Sequence, residues 1–140
     1  RCAVENESLP LLGICLGMQL LAARGEEGGH CSGLGYIPGQ VIKLEVTPDE
    51  RIPHVGWNEL RPTKPDSLLQ GIAPETDFYF VHSYHFVPDS EENVIAHTPY
   101  GGEFVSVVRR NKVWGTQFHP EKSAKPGFQL IRNFLNILTA

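Results

Sequence analysis

At 140 residues, with 41% hydrophobic and 20% charged side chains, the chain has the make-up of a single folded domain and not of a disordered tail. Its net charge of −4 comes with Lys and Arg scattered along the sequence, which excludes the basic patch that a nucleic-acid backbone requires. Neither a membrane-length apolar run nor a charged-then-apolar leader is visible, and the three cysteines, Cys2, Cys15 and Cys31, lack C-x-x-C spacing, so a reducing cytoplasm is the expected location.

In chain order, "LPLLGI" (Leu9 to Ile14) predicts a short buried strand, and "LGMQLLAAR" after it a helix. The Gly-rich "GEEGGHCSGLGYIPG" predicts a loop. The pattern then changes to period two, with "GQVIKLEV", "GWNEL", "DFYFVHSYHFV", "ENVIAHT", "EFVSVVR" and "KVWGTQF" predicting successive strands, the last two joined by a hairpin at "RRNK". The chain ends in "PGFQLIRNFLNILTA", whose Phe128, Ile131, Leu135 and Leu138 share one face at helical spacing and predict an amphipathic helix. A strand–helix opening, many strands and a closing helix predict one α/β domain over residues 1–140, carrying an antiparallel excursion.

Cys15 stands between Gly13 and Gly17, where the first strand turns into the first helix. A nucleophile at the tip of such a turn forms an elbow, for which flanking glycines allow close approach and strain. The helix start aims backbone N–H groups at the sulfur, which favours thiolate, and the N–H of Leu16 is placed to donate to an oxyanion. A free cysteine is also commonly a small core hydrophobe, so a base is needed to decide. Gln19 lies four residues on, on the same helix face.

"WGTQFHPEKS" supplies the base. Pro120 biases His119 towards an extended conformation, in which His119 and Glu121 point to one side. Glu121 can then hold one ring nitrogen while the other faces the sulfur, the logic of nucleophile, base and orienter. His82 and His85 form an H-x-x-H spacing, but residues three apart on a strand face opposite ways and no third ligand follows, so no metal is expected. His30, His54 and His97 read as loop or strand-end residues without a role.

"GICLGMQLL" together with "QFHPEKS" resembles the class I (triad) glutamine amidotransferases, over nearly the whole chain from about Leu9. The segments "GEEGG", "GLGYIPG", "PHVGWN", "FYFVHSYHF", "YGGEF" and "HPEKS" resemble one branch, the glutaminase subunits of imidazole glycerol phosphate synthase. The resemblance implies a flavodoxin-like parallel sheet with an antiparallel excursion. It implies a catalytic triad of Cys15, His119 and Glu121, an oxyanion donor at Leu16, and no cofactor. It further implies that Gln19, Glu27 and the segment His82, Ser83 and Tyr84 bind glutamine. Trp57, Asn58, Tyr79 and Lys122 are implied to face a (β/α)8-barrel cyclase subunit, which takes up the ammonia for histidine biosynthesis.

The family's domain begins before the elbow strand, and on the order of 60 residues of β–α units are expected ahead of it. Those units carry a second oxyanion donor, whose loss costs a hydrolase roughly 10²–10³ in rate, and they cover the elbow strand's open edge. The first residue, Arg1, fits a chain that continues upstream, and these 140 residues alone are expected to fold and turn over poorly. Alternative readings are an amidotransferase subunit of another synthase, which does not need "PHVGWN" with "FVHSYHF", a non-catalytic docking module, or a cysteine hydrolase, which has no need of Gln19 or of the H-P-E spacing.

Overall fold

The computed structural model describes residues 4–5 and 8–140, so Cys2 lies outside the described part. The opening strand β1 (Leu11–Ile14) runs into the five-residue helix α1 (Leu16–Leu20), shorter than the helix predicted. A short strand β2 (Arg24–Gly25) forms where the predicted helix meets the Gly-rich loop, and β3 (Cys31–Ser32) forms within that loop. Then follow β4 (Gly39–Lys43), β5 (His54–Pro62), β6 (Thr76–His82), β7 (Tyr84–Pro88), β8 (Val94–Thr98), β9 (Phe104–Arg110), β10 (Val113–Thr116) and the closing helix α2 (Ala124–Thr139). Among the described residues no helix is long and apolar enough to cross a membrane.

One sheet has the order β1-β10-β9-β8-β5-β6 and a smaller one the order β3-β2-β4-β7. In the larger sheet β1 and β10 pair in parallel, and the chain then folds back through antiparallel pairs. This is a mixed α/β architecture with the predicted excursion as its larger part. The hairpin at "RRNK" forms as predicted, with Arg110 opposite Val113 and Asn111 at φ 54°, the left-handed conformation that such turns need.

Two cores form, one on either side of β9. Val107 belongs to the first, with Phe78, Phe80, Trp114, Phe118 and Leu130. Val108, the next residue, belongs to the second, with Met18, Ile37, Val41 and Phe86. This division explains why "DFYFVHSYHFV" is two strands and not the one predicted. Unbroken alternation would hold Phe78, Phe80 and Phe86 on one face. A break at Ser83 instead sends β6 to the larger sheet and β7 to the smaller, so that Phe86 fills the second core.

The closing helix turns the face predicted from its periodicity outward. Phe128, Leu135 and Leu138 are exposed, whereas Gly127, Leu130 and Asn133 are buried and Phe134 and Ile137 pack against the first core. The sequence carries two apolar stripes, and Asn133 disguises the inner one. Its Nδ2 donates to the carbonyls of Leu68 and Gln70, 2.9 and 2.8 Å away, closing the short 3₁₀ turn Ser67–Leu69 onto the helix.

Asp66, which caps that turn, ties it to β10. Its carboxylate accepts from Leu68 N–H, from Trp114 Nε1 at 3.0 Å and from Arg109 Nη1 at 2.9 Å, while the guanidinium lies over the Trp114 ring. The Asp66 side chain is 2% exposed and that of Arg109 is 37% exposed, so solvent screens the ion pair in part. Asp66→Ala strands a buried indole N–H and a cap, and is expected to cost about 2–3 kcal/mol. Urea unfolding measures this, and a loss below about 0.5 kcal/mol would show that the cluster is not holding β10.

Candidate active site

The parallel pairing of β1 with β10 builds the site. Ile14 stands opposite Thr116, and the next amide, Cys15 N–H, still donates to the Thr116 carbonyl at 2.7 Å. Beyond that bond both chains leave the same end of the sheet, about 4.8 Å apart, one carrying Cys15 and the other Gln117 and His119. Cys15 has φ 53° and ψ −107°, a conformation that costs a non-glycine residue on the order of 1–3 kcal/mol and recurs at functional sites. Gly13 makes the turn possible: a Cβ there would lie 2.6 Å from the Gly17 carbonyl oxygen. Gly13 is thus required for contact, while Gly17 faces open space and supplies the carbonyl.

The partly buried sulfur donates to the Val81 carbonyl and accepts from Gln117 Nε2, both at 3.8 Å. Burial pushes the thiol above its ordinary value, and hydrogen bonds from Leu16 N–H and Gln117 only partly offset this. The expected thiolate at a helix start is therefore corrected. A helix of five residues does not outweigh desolvation, and the resting group is the thiol.

His119 and Glu121 meet as expected, with Nδ1 2.5 Å from Oε1. His119 is extended, but Pro120–Lys122 form a 3₁₀ turn, so the contact comes from the turn and not from strand alternation. His119 N–H donates to the Tyr79 carbonyl, and Ser123 Oγ donates to the His119 carbonyl while accepting from Tyr79 N–H. Behind the turn Gly127 lets α2 close in, since a Cβ there would lie 1.9 Å from the Pro120 oxygen. Among the described residues no hydrogen bond joins Cys15 to His119, and catalytic contacts commonly tighten only when substrate binds.

Gln19 spends both amide hydrogens inside the protein, on the Tyr84 carbonyl at 3.2 Å and on Gln117 Oε1 at 3.3 Å, which leaves its own Oε1 as acceptor. Gln19, Glu27, Leu16, Arg24 and Cys31 line a cleft of about 360 Å³. His82, by contrast, has its ring buried, so of the segment His82–Tyr84 its backbone and the half-buried side chains of Ser83 and Tyr84 are left to meet a ligand. Its Nδ1 lies 2.8 Å from the Tyr84 carbonyl and its Nε2 2.9 Å from Nδ1 of His54, a residue to which the sequence assigns no role. On the rim, exposed Trp57 stands opposite Tyr79 in the β5–β6 register and meets it edge to face, and Lys122 is exposed. Asn58 turns inward instead, with Nδ2 on His54 Nε2 and on the Pro99 carbonyl. Among the described residues no group of three or more His, Cys, Asp or Glu side chains converges to hold a metal ion.

Gln117, Ser123 and His54 are the site residues that the sequence reading misses. Gln117 and His54 give no signal because strand register alone brings them in. Ser123, at the end of "HPEKS", carries the weak signal of a hydroxyl following a turn.

A strained cysteine at a strand–helix elbow, with a carboxylate-held imidazole three residues past the end of the neighbouring parallel strand, is an arrangement of the kind that triad-type cysteine hydrolases use. Residues 1–138 match the sequence profile of the class-I glutamine amidotransferases, and the chain belongs to that family. It is 51% identical over 128 residues to imidazole glycerol phosphate synthase subunit HisH 1 of Campylobacter jejuni, covering 91% of this chain and 63% of that protein. With subunit HisH of Moorella thermoacetica the identity is 48% over 131 residues, covering 94% and 61%. The chain thus spans about three fifths of the length of these relatives. A crystal structure described as a glutamine amidotransferase superposes with TM-score 0.69 at 25% identity, covering 99% of this chain and 65% of the other. A glutamine amidotransferase from Thermotoga maritima shares the fold, at TM-score 0.59 and 19% identity over 97% of this chain and 51% of that one.

Gly13→Ala presses a methyl group on backbone, and is expected to destabilise by about 1–3 kcal/mol and to displace Cys15. Its urea midpoint tests this, and an unchanged midpoint would contradict the close contact. Burial lowers both His54 and His82 from 6.5 to about 4. Between those values the unfolded chain binds protons that the folded one refuses, so stability is greatest above about pH 6.5 and falls as pH drops towards 4. The slope is at most roughly 1.4 kcal/mol per pH unit for each ring. Denaturant melts at pH 7.5, 6 and 5 measure it, and equal stability at all three would refute it.

Proposed function

We propose that the chain forms the catalytic part of the glutaminase subunit of an imidazole glycerol phosphate synthase, hydrolysing glutamine to glutamate and ammonia. The observation that carries this reading is the strained Cys15 beside a Glu121-held His119, in a chain about half identical to the subunits named above. Because burial keeps the resting sulfur protonated, a base is required, and His119 Nε2 is the ring nitrogen not held by Glu121.

His119 takes the thiol proton as sulfur attacks the side-chain amide carbon of glutamine, and Leu16 N–H donates to the oxyanion that forms. Collapse of the adduct breaks the C–N bond; His119 returns the proton to the leaving nitrogen, and ammonia departs from a glutamyl thioester. Water, deprotonated by His119, then attacks the thioester, releasing glutamate and restoring the thiol. Gln19 Oε1 and Glu27 suit the substrate's ammonium, and the backbone of His82–Tyr84 suits its carboxylate.

Ammonia released into water becomes ammonium, which is no nucleophile, so the product has to reach a second site without leaving the protein. A cyclase subunit of (β/α)8-barrel form, seated on Trp57, Tyr79 and Lys122 with the inward-turned Asn58 behind them, is the proposed recipient. A cytoplasmic, histidine-biosynthetic setting goes with it.

A diazo-ketone glutamine analogue tests the reading. Labelling confined to Cys15, sparing Cys31 and blocked by glutamine, is expected. Labelling of Cys15 by generic thiol reagents but never by the analogue would refute a glutamine site. In an active preparation His119→Ala is expected to lower kcat by about 10²–10⁴-fold, and a fall below tenfold would remove its role as base.

A further inference from the structure

The buried imidazoles of His54 and His82 sit directly opposite one another in the β5–β6 register and take no part in the chemistry above. Their hydrogen bonds allow one arrangement of protons. A carbonyl can only accept, so His82 Nδ1, facing the Tyr84 oxygen at 2.8 Å, carries its hydrogen. A neutral ring has one donor, so His82 Nε2 is an acceptor and His54 Nδ1, 2.9 Å away, must donate to it. His54 Nε2 is then the acceptor for Asn58 Nδ2 at 3.2 Å. The remaining amide hydrogen of Asn58 goes to the Pro99 carbonyl at 2.8 Å, and its Oδ1 accepts from Glu59 N–H.

The chain of bonds does not stop at Tyr84. That carbonyl has a second lone pair, and Gln19 Nε2 occupies it. Gln19 also donates to Gln117 Oε1, and Gln117 Nε2 donates to the sulfur of Cys15. The rings have little freedom to leave the path. His54 is stacked between Tyr100, at 3.9 Å, and Phe80, at 5.0 Å, and His82 lies 4.8 Å from the Phe104 ring.

We infer that His54 and His82 are positioning residues for the nucleophile: a two-imidazole relay of fixed direction that orients Gln19 and Gln117 through the Tyr84 carbonyl, and so sets the donor on the Cys15 sulfur. Its outer end is Asn58, next to exposed Trp57, so a contact that turns Asn58 reaches the sulfur without touching it. The inference rests on the glutaminase reading for its effect on rate, and not for its bonding.

The rings are tested first by imidazole ¹⁵N spectra of the full protein at pH 7. Both are expected as Nδ1–H tautomers, the less common form of free histidine, and an Nε2–H tautomer or a charged ring at either position would overturn the relay. His54→Phe keeps the stacking and breaks the bonds. It is expected to lower kcat/KM for glutamine about tenfold, mainly in kcat, and to slow alkylation of Cys15 by iodoacetamide in the absence of substrate. In a Gln117→Ala background His54→Phe should add nothing to the alkylation rate, because the relay reaches the sulfur through that amide. Independent, multiplicative effects on the alkylation rate, or an unchanged kcat/KM and alkylation rate in His54→Phe, would overturn the inference. Should His54→Phe fail to fold, Asn58→Leu removes the outermost donor and is read in the same two assays. A wild-type protein without glutaminase activity would defeat the proposed function, while the spectra and the alkylation rates would still decide the relay.

Discussion

The site depends on one parallel strand pair. Because β1 and β10 run side by side, two residues a hundred positions apart in sequence leave the sheet at the same end and at the same height. The bond from Cys15 N–H to the Thr116 carbonyl is the last rung of that ladder. It anchors the backbone on one side of a strained residue, and α1 anchors it on the other. A slip of one residue between the strands would invert every side chain on one of them and point Gln117 away from the sulfur. The excursion from β4 to β9 serves the same end: it carries Tyr79, to which the His119 turn is tied, back beneath that turn.

Burial sets the electrostatic character of the region. Sulfur and two imidazoles are held neutral by desolvation, and all four ring nitrogens of His54 and His82 are hydrogen-bonded. In such surroundings neutral hydrogen bonds with a defined direction replace ion pairs as the means of holding groups in place. The carboxylate of Glu121 stays exposed and holds the ring of His119 at the edge of this dry zone.

The sequence is most informative where chemistry needs a rare conjunction in a short segment. Cysteine between glycines at a strand–helix junction, and H-P-E after a strand, are such conjunctions, and both lead to the right elements. Most strands, the hairpin at Asn111 and the closing helix were also legible from period and punctuation. What was hidden depends on partners remote in sequence. The face of α2 was misread because Asn133, polar in the sequence, is buried to hold two carbonyls of a turn more than 60 residues earlier. The break at Ser83 was invisible because only the existence of two cores requires it. The protonated state of Cys15 was missed because a five-residue helix looks, in sequence, like the start of a longer one.

That protonated state has a meaning between turnovers as well. Peroxide and disulfides attack or are attacked by thiolate, and a sulfur that becomes thiolate only when a base takes its proton offers them little. Cys31, which lines the cleft with Leu16 and Gln19, is exposed where Cys15 is partly buried. The burial that keeps the Cys15 thiol protonated therefore also withholds from oxidants the form they attack.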